Sequence, residues 1–360
     1  MAKGLRVRGE SIRAYILENA EASGLALRVA NHFNITRQAV GLHLQELVKE
    51  GALVAEGNTR NRTYKLCSKE VLVRSYEIKP GLAEDTVWRK DISEILGHLP
   101  RNVFEMWEYS FTEMFNNAID HSGGTTIDVT VWKTAIDTLI AIGDDGVGIF
   151  AKIKAALDLE DERHAILELS KGKLTTDAKN HSGEGIFFTS RMVNRFDILA
   201  GGVQFSHVIG KPHDWVIDQE PVLGTRVYLK IDNHTARTVK NTLAQYSIGD
   251  QFGFNRTVVP VKLAQYQNDQ LISRSQAKRL LARAELFAEV LFDFTGVESI
   301  GKPFADQIFR VFQNEHPRMV IHSAHTNAQV QLVINEVLQQ RRLEQKEEAK
   351  STRMQAANAG

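Results

Sequence analysis

The stretch Glu113-Met114-Phe115-Asn116-Asn117-Ala118-Ile119-Asp120-His121 decides how this chain is read, together with Asp144-Asp145-Gly146-Val147-Gly148, Gly183-Glu184-Gly185-Ile186 and Gly224-Thr225 further along. Around the first piece, Phe104, Trp107, Phe111, Met114, Phe115 and Ala118 recur every three or four positions, the spacing of a buried stripe on an amphipathic helix. Glu113 and Asn117 lie four apart, so they stack on one face, roughly opposite that stripe. Taken alone, the pair reads as a solvated polar face.

The later pieces change that reading. Residues 125–133 and 138–142 have the pattern of strands, and the second runs straight into Asp144 and its two glycines. A carboxylate at a strand end, followed by Gly146 and Gly148, lets backbone approach a flat ligand and leaves Asp144 to accept a hydrogen bond from an exocyclic amine. Residues 171–183 read as a polar, glycine-bearing loop, and Gly183 and Gly185 open a helix over 186–193. Glycines at a helix start expose backbone N–H groups to phosphate, assisted by the positive end of the helix dipole. Residues 224–231 read as a strand with the Thr225 hydroxyl near its beginning. Each signal is weak alone, and their order makes the set specific.

That set resembles the asparagine box, the two glycine boxes and the closing Gly-Thr of the Bergerat-fold (GHKL) ATP-binding domain of gyrase, histidine kinases and MutL, over about residues 91–232. The nearest-looking branch is the anti-sigma-factor serine kinase type, whose first box also reads Glu-x-x-x-Asn-Ala-x-x-His. The resemblance implies ATP and Mg²⁺ as cofactors, with Asn117 on the metal, Asp144 on the adenine amine, and Gly146, Gly148, Gly183, Gly185 and Thr225 shaping the site. It implies Glu113 as a general base toward water or an acceptor hydroxyl, and the chemistry agrees: Mg²⁺ takes hard oxygen ligands, and a base must reach its nucleophile. Lys171, Lys173, Thr175, Thr176, Lys179 and His181 fall in the expected lid over 170–182, and 150–169 is expected as one amphipathic helix.

Working outward, 360 residues predict two or three domains of ordinary globular composition, 43% hydrophobic and 24% charged. Net charge is zero, but residues 1–66 hold ten Lys/Arg against six Asp/Glu, a local +4. A single cysteine, Cys67, excludes internal disulfides and cysteine metal clusters. No signal peptide or spanning segment is read, so a cytoplasmic protein without membrane contact is expected.

Residues 10–21, 25–33 and 36–50 read as three helices, with Thr36 capping the third; 52–56 and 63–66 read as short strands. Residues 1–67 resemble a bacterial winged helix-turn-helix, which implies DNA as partner, with Thr36, Arg37, Gln38 and His43 toward the major groove and Arg60 and Arg62 on the wing. A winged helix used for dimerisation or protein contact is the alternative, and a homodimer fits it. Residues 68–103 are expected as a connector, with His98 a helix-end histidine rather than a phosphoacceptor. The ATP-binding domain is expected over 104–235.

Residues 250–340 alternate strand and helix, the pattern of a small α/β domain. The alternation resembles a STAS-like domain of anti-sigma-factor antagonists. Where phosphorylatable members carry Asp-Ser-Ser-Gly, this chain reads Glu298-Ser299-Ile300-Gly301, with Ile300 at the usual acceptor position. Ser299 and Thr295 stay open as acceptors, and Ser299 reads better as a helix cap. Residues 341–360 are expected as a disordered tail. The expected fold is therefore multidomain α+β and α/β: winged helix, Bergerat α/β sandwich, then small STAS-like α/β domain. Three functions follow from the resemblances: an ATP-dependent transcriptional or signalling regulator, a serine/threonine protein kinase acting on a STAS or sigma-pathway partner, or a scaffold with structural nucleotide.

Overall fold

The computed structural model describes residues 2–358 except 59–60, 175–182, 212–213, 248–253 and 266–269, with side chains described from Gly9 to Glu347. The architecture is mixed α and β, built on three hydrophobic cores.

The first core packs Ile12, Ile16, Val29, Val40, Leu44 and Leu47 from α1 (Ala2–Glu18), α2 (Leu25–Phe33) and α3 (Arg37–Lys49). Thr36 caps α3, its hydroxyl accepting from the Ala39 N–H at 3.2 Å. An antiparallel hairpin follows, β1 (Leu53–Glu56) and β2 (Thr63–Leu66), with Leu53 opposite Leu66. Arg60 of the wing lies outside the described residues.

Only Cys67 and Ser68 separate β2 from β3 (Lys69–Glu77), which is the edge strand of the central sheet and pairs with β4 (Thr126–Lys133). The expected connector is therefore part of the central unit. Helices α4 (Glu84–Val87) and α5 (Ser93–Leu96), joined through a wide π turn, put Val87, Trp88, Ile92, Leu96 and Leu99 into the same core as Trp107, Phe111 and Phe115 of α6 (Arg101–His121). Burying an apolar side chain of that size contributes roughly 1.5–3 kcal/mol, so this segment has strong reason to fold back.

The sheet order is β3-β4-β5-β7-β6, antiparallel throughout, with β5 (Asp137–Asp144), β6 (Arg195–Val208) and β7 (Trp215–Asp232). The buried stripe of α6 packs on this sheet, as its spacing predicts. The helix expected over 150–169 is two: α7 (Ile149–Leu157) and α8 (Glu162–Lys171). The break comes at Asp158, which takes a left-handed φ of 51°, and Asp161 restarts the helix by accepting from the His164 N–H at 2.7 Å. Helix α9 (Gly185–Met192) follows the second glycine pair.

After α10 (Val239–Ala244), strands β8 (Arg256–Pro260), β9 (Glu289–Asp293) and β10 (Val320–Ala324) form a parallel sheet with β9 central. Helices α11 (Arg274–Leu281), α12 (Lys302–Asp306), α13 (Gln313–Glu315) and α14 (Ala328–Asn358) complete this unit, the βαβ alternation read from the sequence. The expected disordered tail is corrected: α14 runs through Asn358. Its 341–347 segment is rich in helix-forming Arg, Leu, Glu, Gln and Lys, and the Arg310–Glu344 ion pair at 3.3 Å ties it down.

Candidate functional site

The four sequence pieces converge on one cavity of about 330 Å³ in the central unit. Glu113 and Asn117, one turn apart on α6, line it together with Asp144 at the end of β5, Gly183, Gly185 at the start of α9, and Thr225 on β7. Ile142, Ile153, Leu169, Ile186, Ile198 and Val227 supply an apolar floor and walls. That composition, apolar with a few convergent polar groups, is the usual make-up of a small-molecule site.

Asp144 is held by backbone: its Oδ1 accepts from the N–H groups of Gly146 at 2.9 Å and Thr225 at 3.2 Å. Burial pushes its carboxyl above the ordinary range, and those hydrogen bonds oppose the shift. Gly146 and Gly148 do not line the cavity; they shape the turn that does. A Cβ on Gly146 would sit 2.6 Å from the carbonyl carbon of Ser122, so no larger residue fits. Gly148 takes a φ of 89° and starts α7, where the Thr225 hydroxyl accepts from the Ile149 N–H at 3.0 Å. Asp145, next to Asp144, is turned away to accept from Thr125 and Thr126, which hold its carboxyl below the ordinary range.

Asn117 carries an unsatisfied group: its Nδ2 is shielded from solvent and has no hydrogen-bond partner among the described residues. A buried amide left unpaired at a cavity wall calls for a ligand, and turning the carboxamide over offers its oxygen instead. Across the cavity, a Cβ on Gly185 would lie 2.9 Å from Glu113 Cδ. Glycine at this position thus makes room for the Glu113 carboxylate at a helix start. Burial above all, then Glu113 and Glu184, raise the pKa of the Tyr109 phenol. Burial likewise raises Glu184, with Lys173 pulling it down.

Several lining residues carry no motif. Lys152 lines the cavity and donates to the carbonyl of His121, the last residue of the first box, at 2.6 Å, and Leu169 and Leu174 belong to it too. Lys152 lies three residues after Ile149, and that spacing is the one signal in the sequence that sets it beside the site.

The lysines expected in a lid are placed differently. Lys171 ends α8 and is 1% exposed, its Nζ donating to Glu168 Oε1 at 2.6 Å and to the Ala282 carbonyl at 2.7 Å. Lys173 donates to the Leu286 carbonyl at 3.0 Å. Thr175, Thr176, Lys179 and His181 lie outside the described residues. Arg191 pairs with Asp214 at 3.7 Å.

On the N-terminal unit, Thr36, Arg37 and Gln38 are exposed together at the start of α3, and Arg62 is exposed in the loop of the hairpin, just before β2. His43 is half-buried with Nδ1 shielded and its ring edge against Gly9 of α1. His98 faces Lys133 at 3.0 Å, and burial, then that ammonium, lower its pKa. In the C-terminal unit Ile300 is buried, bridging to Leu271. Ser299 does not cap α12, whose N-cap is Gly301, and Thr295 donates its hydroxyl to Asp293 Oδ1 at 2.6 Å.

Among the described residues no group of three or more His, Cys, Asp or Glu forms a metal cage, and no helix is long and apolar enough to cross a membrane. No curated protein matches the chain. Residues 276–331, from α11 into α14, match the family described as a STAS-like domain of unknown function (DUF4325), so the C-terminal unit carries a STAS-like domain.

Proposed function

We propose that the central unit binds ATP with Mg²⁺ and that the chain is a nucleotide-dependent regulator joining a DNA-binding N-terminal unit to its STAS-like domain. The observation that carries the reading is the convergence of Glu113, Asn117, Asp144, Gly183, Gly185 and Thr225, spread over more than a hundred residues, on one cavity. Asp144 accepts from an exocyclic amine; Asn117 turns its carboxamide oxygen to the metal; the N–H groups at the start of α9 face phosphate. Glu113, held beside those N–H groups, takes the proton of a nucleophilic water or hydroxyl. ATP supplies the transferable phosphoryl group, and Mg²⁺ the charge that phosphate oxygens require.

The N-terminal assignment is supported by the helix-helix-helix-hairpin order and by Arg37 and Gln38 exposed on the first turn of α3. Transfer of phosphate to the usual acceptor position of the chain's own STAS-like domain is disfavoured, because Ile300 there is buried and has no hydroxyl. The Thr295 hydroxyl is engaged, which leaves half-buried Ser299 as the acceptor to look for in cis.

The test is Mg²⁺-dependent ATP binding and turnover by the full chain. Wild type is expected to bind, Asn117→Ala to lose Mg²⁺-dependent binding, and Glu113→Ala to bind without turnover. Wild type that binds no nucleotide, or Asn117→Ala that binds equally well, overturns the reading. Labelled ATP incubated with the chain, alone and with a separate STAS-domain protein, distinguishes ATPase from kinase.

A further inference from the structure

Two walls of the cavity belong equally to the core of the STAS-like unit. Helix α8 turns Ala165, Ile166 and Leu169 into the central core, while Leu167 joins the C-terminal one. Helix α9 does the same: Gly185 and Ile186 line the cavity, whereas Phe187 and Phe188 sit among C-terminal aromatics. Phe254 lies 4.5 Å from Phe187 and 4.9 Å from Phe188, ring centre to ring centre, and Phe287 packs on Phe254 at 5.2 Å.

The end of α8 is fastened in the same direction. The Lys171 ammonium donates to Glu168 and to the carbonyls of Ala282 and, at 3.3 Å, Arg279. Three acceptors satisfy its three donors. Arg283 reaches Glu168 at 3.5 Å and also donates to the Lys173 carbonyl, and the Thr257 hydroxyl donates to the Lys171 carbonyl at 2.6 Å. Gly172 leaves no room for a Cβ, which would meet the Phe254 ring at 2.5 Å. Two residues on, Leu174 lines the cavity and donates its N–H to the Gly183 carbonyl at 3.0 Å, joining the two walls.

We infer that the STAS-like unit regulates the cavity by holding these shared walls, with Phe254, Lys171 and Arg283 as positioning residues. Close-packed interiors shift as discrete blocks, so a partner that displaces the STAS-like unit displaces 169–174 and 183–188 with it. The inference rests on the nucleotide reading for its ligand, and on packing alone for the coupling.

Phe254→Leu and Arg283→Gln test it in the full chain, since neither residue lines the cavity. Each is expected to weaken binding of a non-hydrolysable ATP analogue with Mg²⁺ at least fivefold, the lower end of ordinary coupling between sites. Each is also expected to speed amide hydrogen exchange at 169–174 and 183–188 in nucleotide-free protein while unfolding stays cooperative. Arg283→Lys, which keeps a cation toward Glu168, is expected to recover part of both. If wild type binds no nucleotide, the nucleotide reading fails and the exchange measurement alone decides the coupling. Wild-type exchange in Arg283→Gln and Phe254→Leu overturns the inference, as does unchanged affinity in a nucleotide-binding chain. Should Phe254→Leu fail to fold cooperatively, Arg283→Gln decides.

Discussion

Replacing Gly185 by alanine separates the position of Glu113 from the stability of the fold. All three nearest atoms to a Cβ there belong to Glu113, with Cδ at 2.9 Å and Oε2 nearer still. The obstruction is the far end of one flexible side chain, so Glu113 swings away and the backbone stays. Forcing a side chain off its rotamer costs about 0.5–1.5 kcal/mol, and alanine in place of glycine at a helix end returns up to about 1 kcal/mol. The two nearly cancel, so the melting temperature should move by no more than about 4 °C. The carboxylate, however, is displaced by about 1 Å, and misplacing a catalytic group by that much costs roughly a hundredfold in turnover. Gly146→Ala is the contrast: its Cβ would press on the carbonyl carbon of Ser122 at 2.6 Å and on Ser122 Cβ at 2.9 Å, backbone against backbone. Overpacking of that kind costs about 1–3 kcal/mol or more. Thermal unfolding and ATP turnover on the same preparations check both. Full turnover in Gly185→Ala, or a stability loss equal to that of Gly146→Ala, refutes the reasoning.

Burial raises the pKa of Asp144, and an amine donor needs the ionised carboxylate, so nucleotide affinity should be full above that raised pKa and fall as the pH drops through it. Asp144→Asn should weaken binding by about 1.5–3 kcal/mol, roughly ten- to a hundredfold, and remove the acid limb in calorimetric titrations across pH. Lys171→Met leaves Glu168, 1% exposed, with the longer contacts to Arg283 at 3.5 Å and His164 at 3.9 Å, and should cost about 3–5 kcal/mol in urea unfolding. Adding Glu168→Leu should recover much of that loss, and costs that simply add would contradict a coupled pair. If Arg37 meets phosphate, Arg37→Ala should weaken DNA binding across sequences and lower the salt slope by about one, read by fluorescence anisotropy at several salt concentrations.

Local periodicity carried the reading where one residue pattern met one surface. The α6 stripe, the Thr36 cap, the β1–β2 hairpin and the C-terminal βαβ order could all be read from spacing alone. Long-range pairing was opaque. Nothing local marks strand β6 as one element: Gly201-Gly202 interrupts its run, and in the sheet it is the point where the register with β7 shifts. Residues 68–103 read as a link because Pro80-Gly81 breaks the stretch; only pairing with β4 and packing on α6 reveal their place. The glycines that shape the cavity stood out by type, but Lys152 and Leu174 reach it through tertiary contacts that no motif marks. Lys171 misled for the same reason, since a lysine in a polar run gives no sign that, besides Glu168 on its own helix, two carbonyl acceptors wait for it in another unit.

The two residues between β2 and β3 act as a very short leash. Two extended residues span at most about 7 Å. An N-terminal unit seated on DNA would therefore carry the edge of the central sheet within about 7 Å of its own hairpin. On a palindrome, two such units sit about 34–36 Å apart, and short tethers raise local concentrations into the millimolar range. Copies that ignore each other in dilute solution would meet on such a site, so the spacing of half-sites, more than any affinity between free chains, would set when two central units touch.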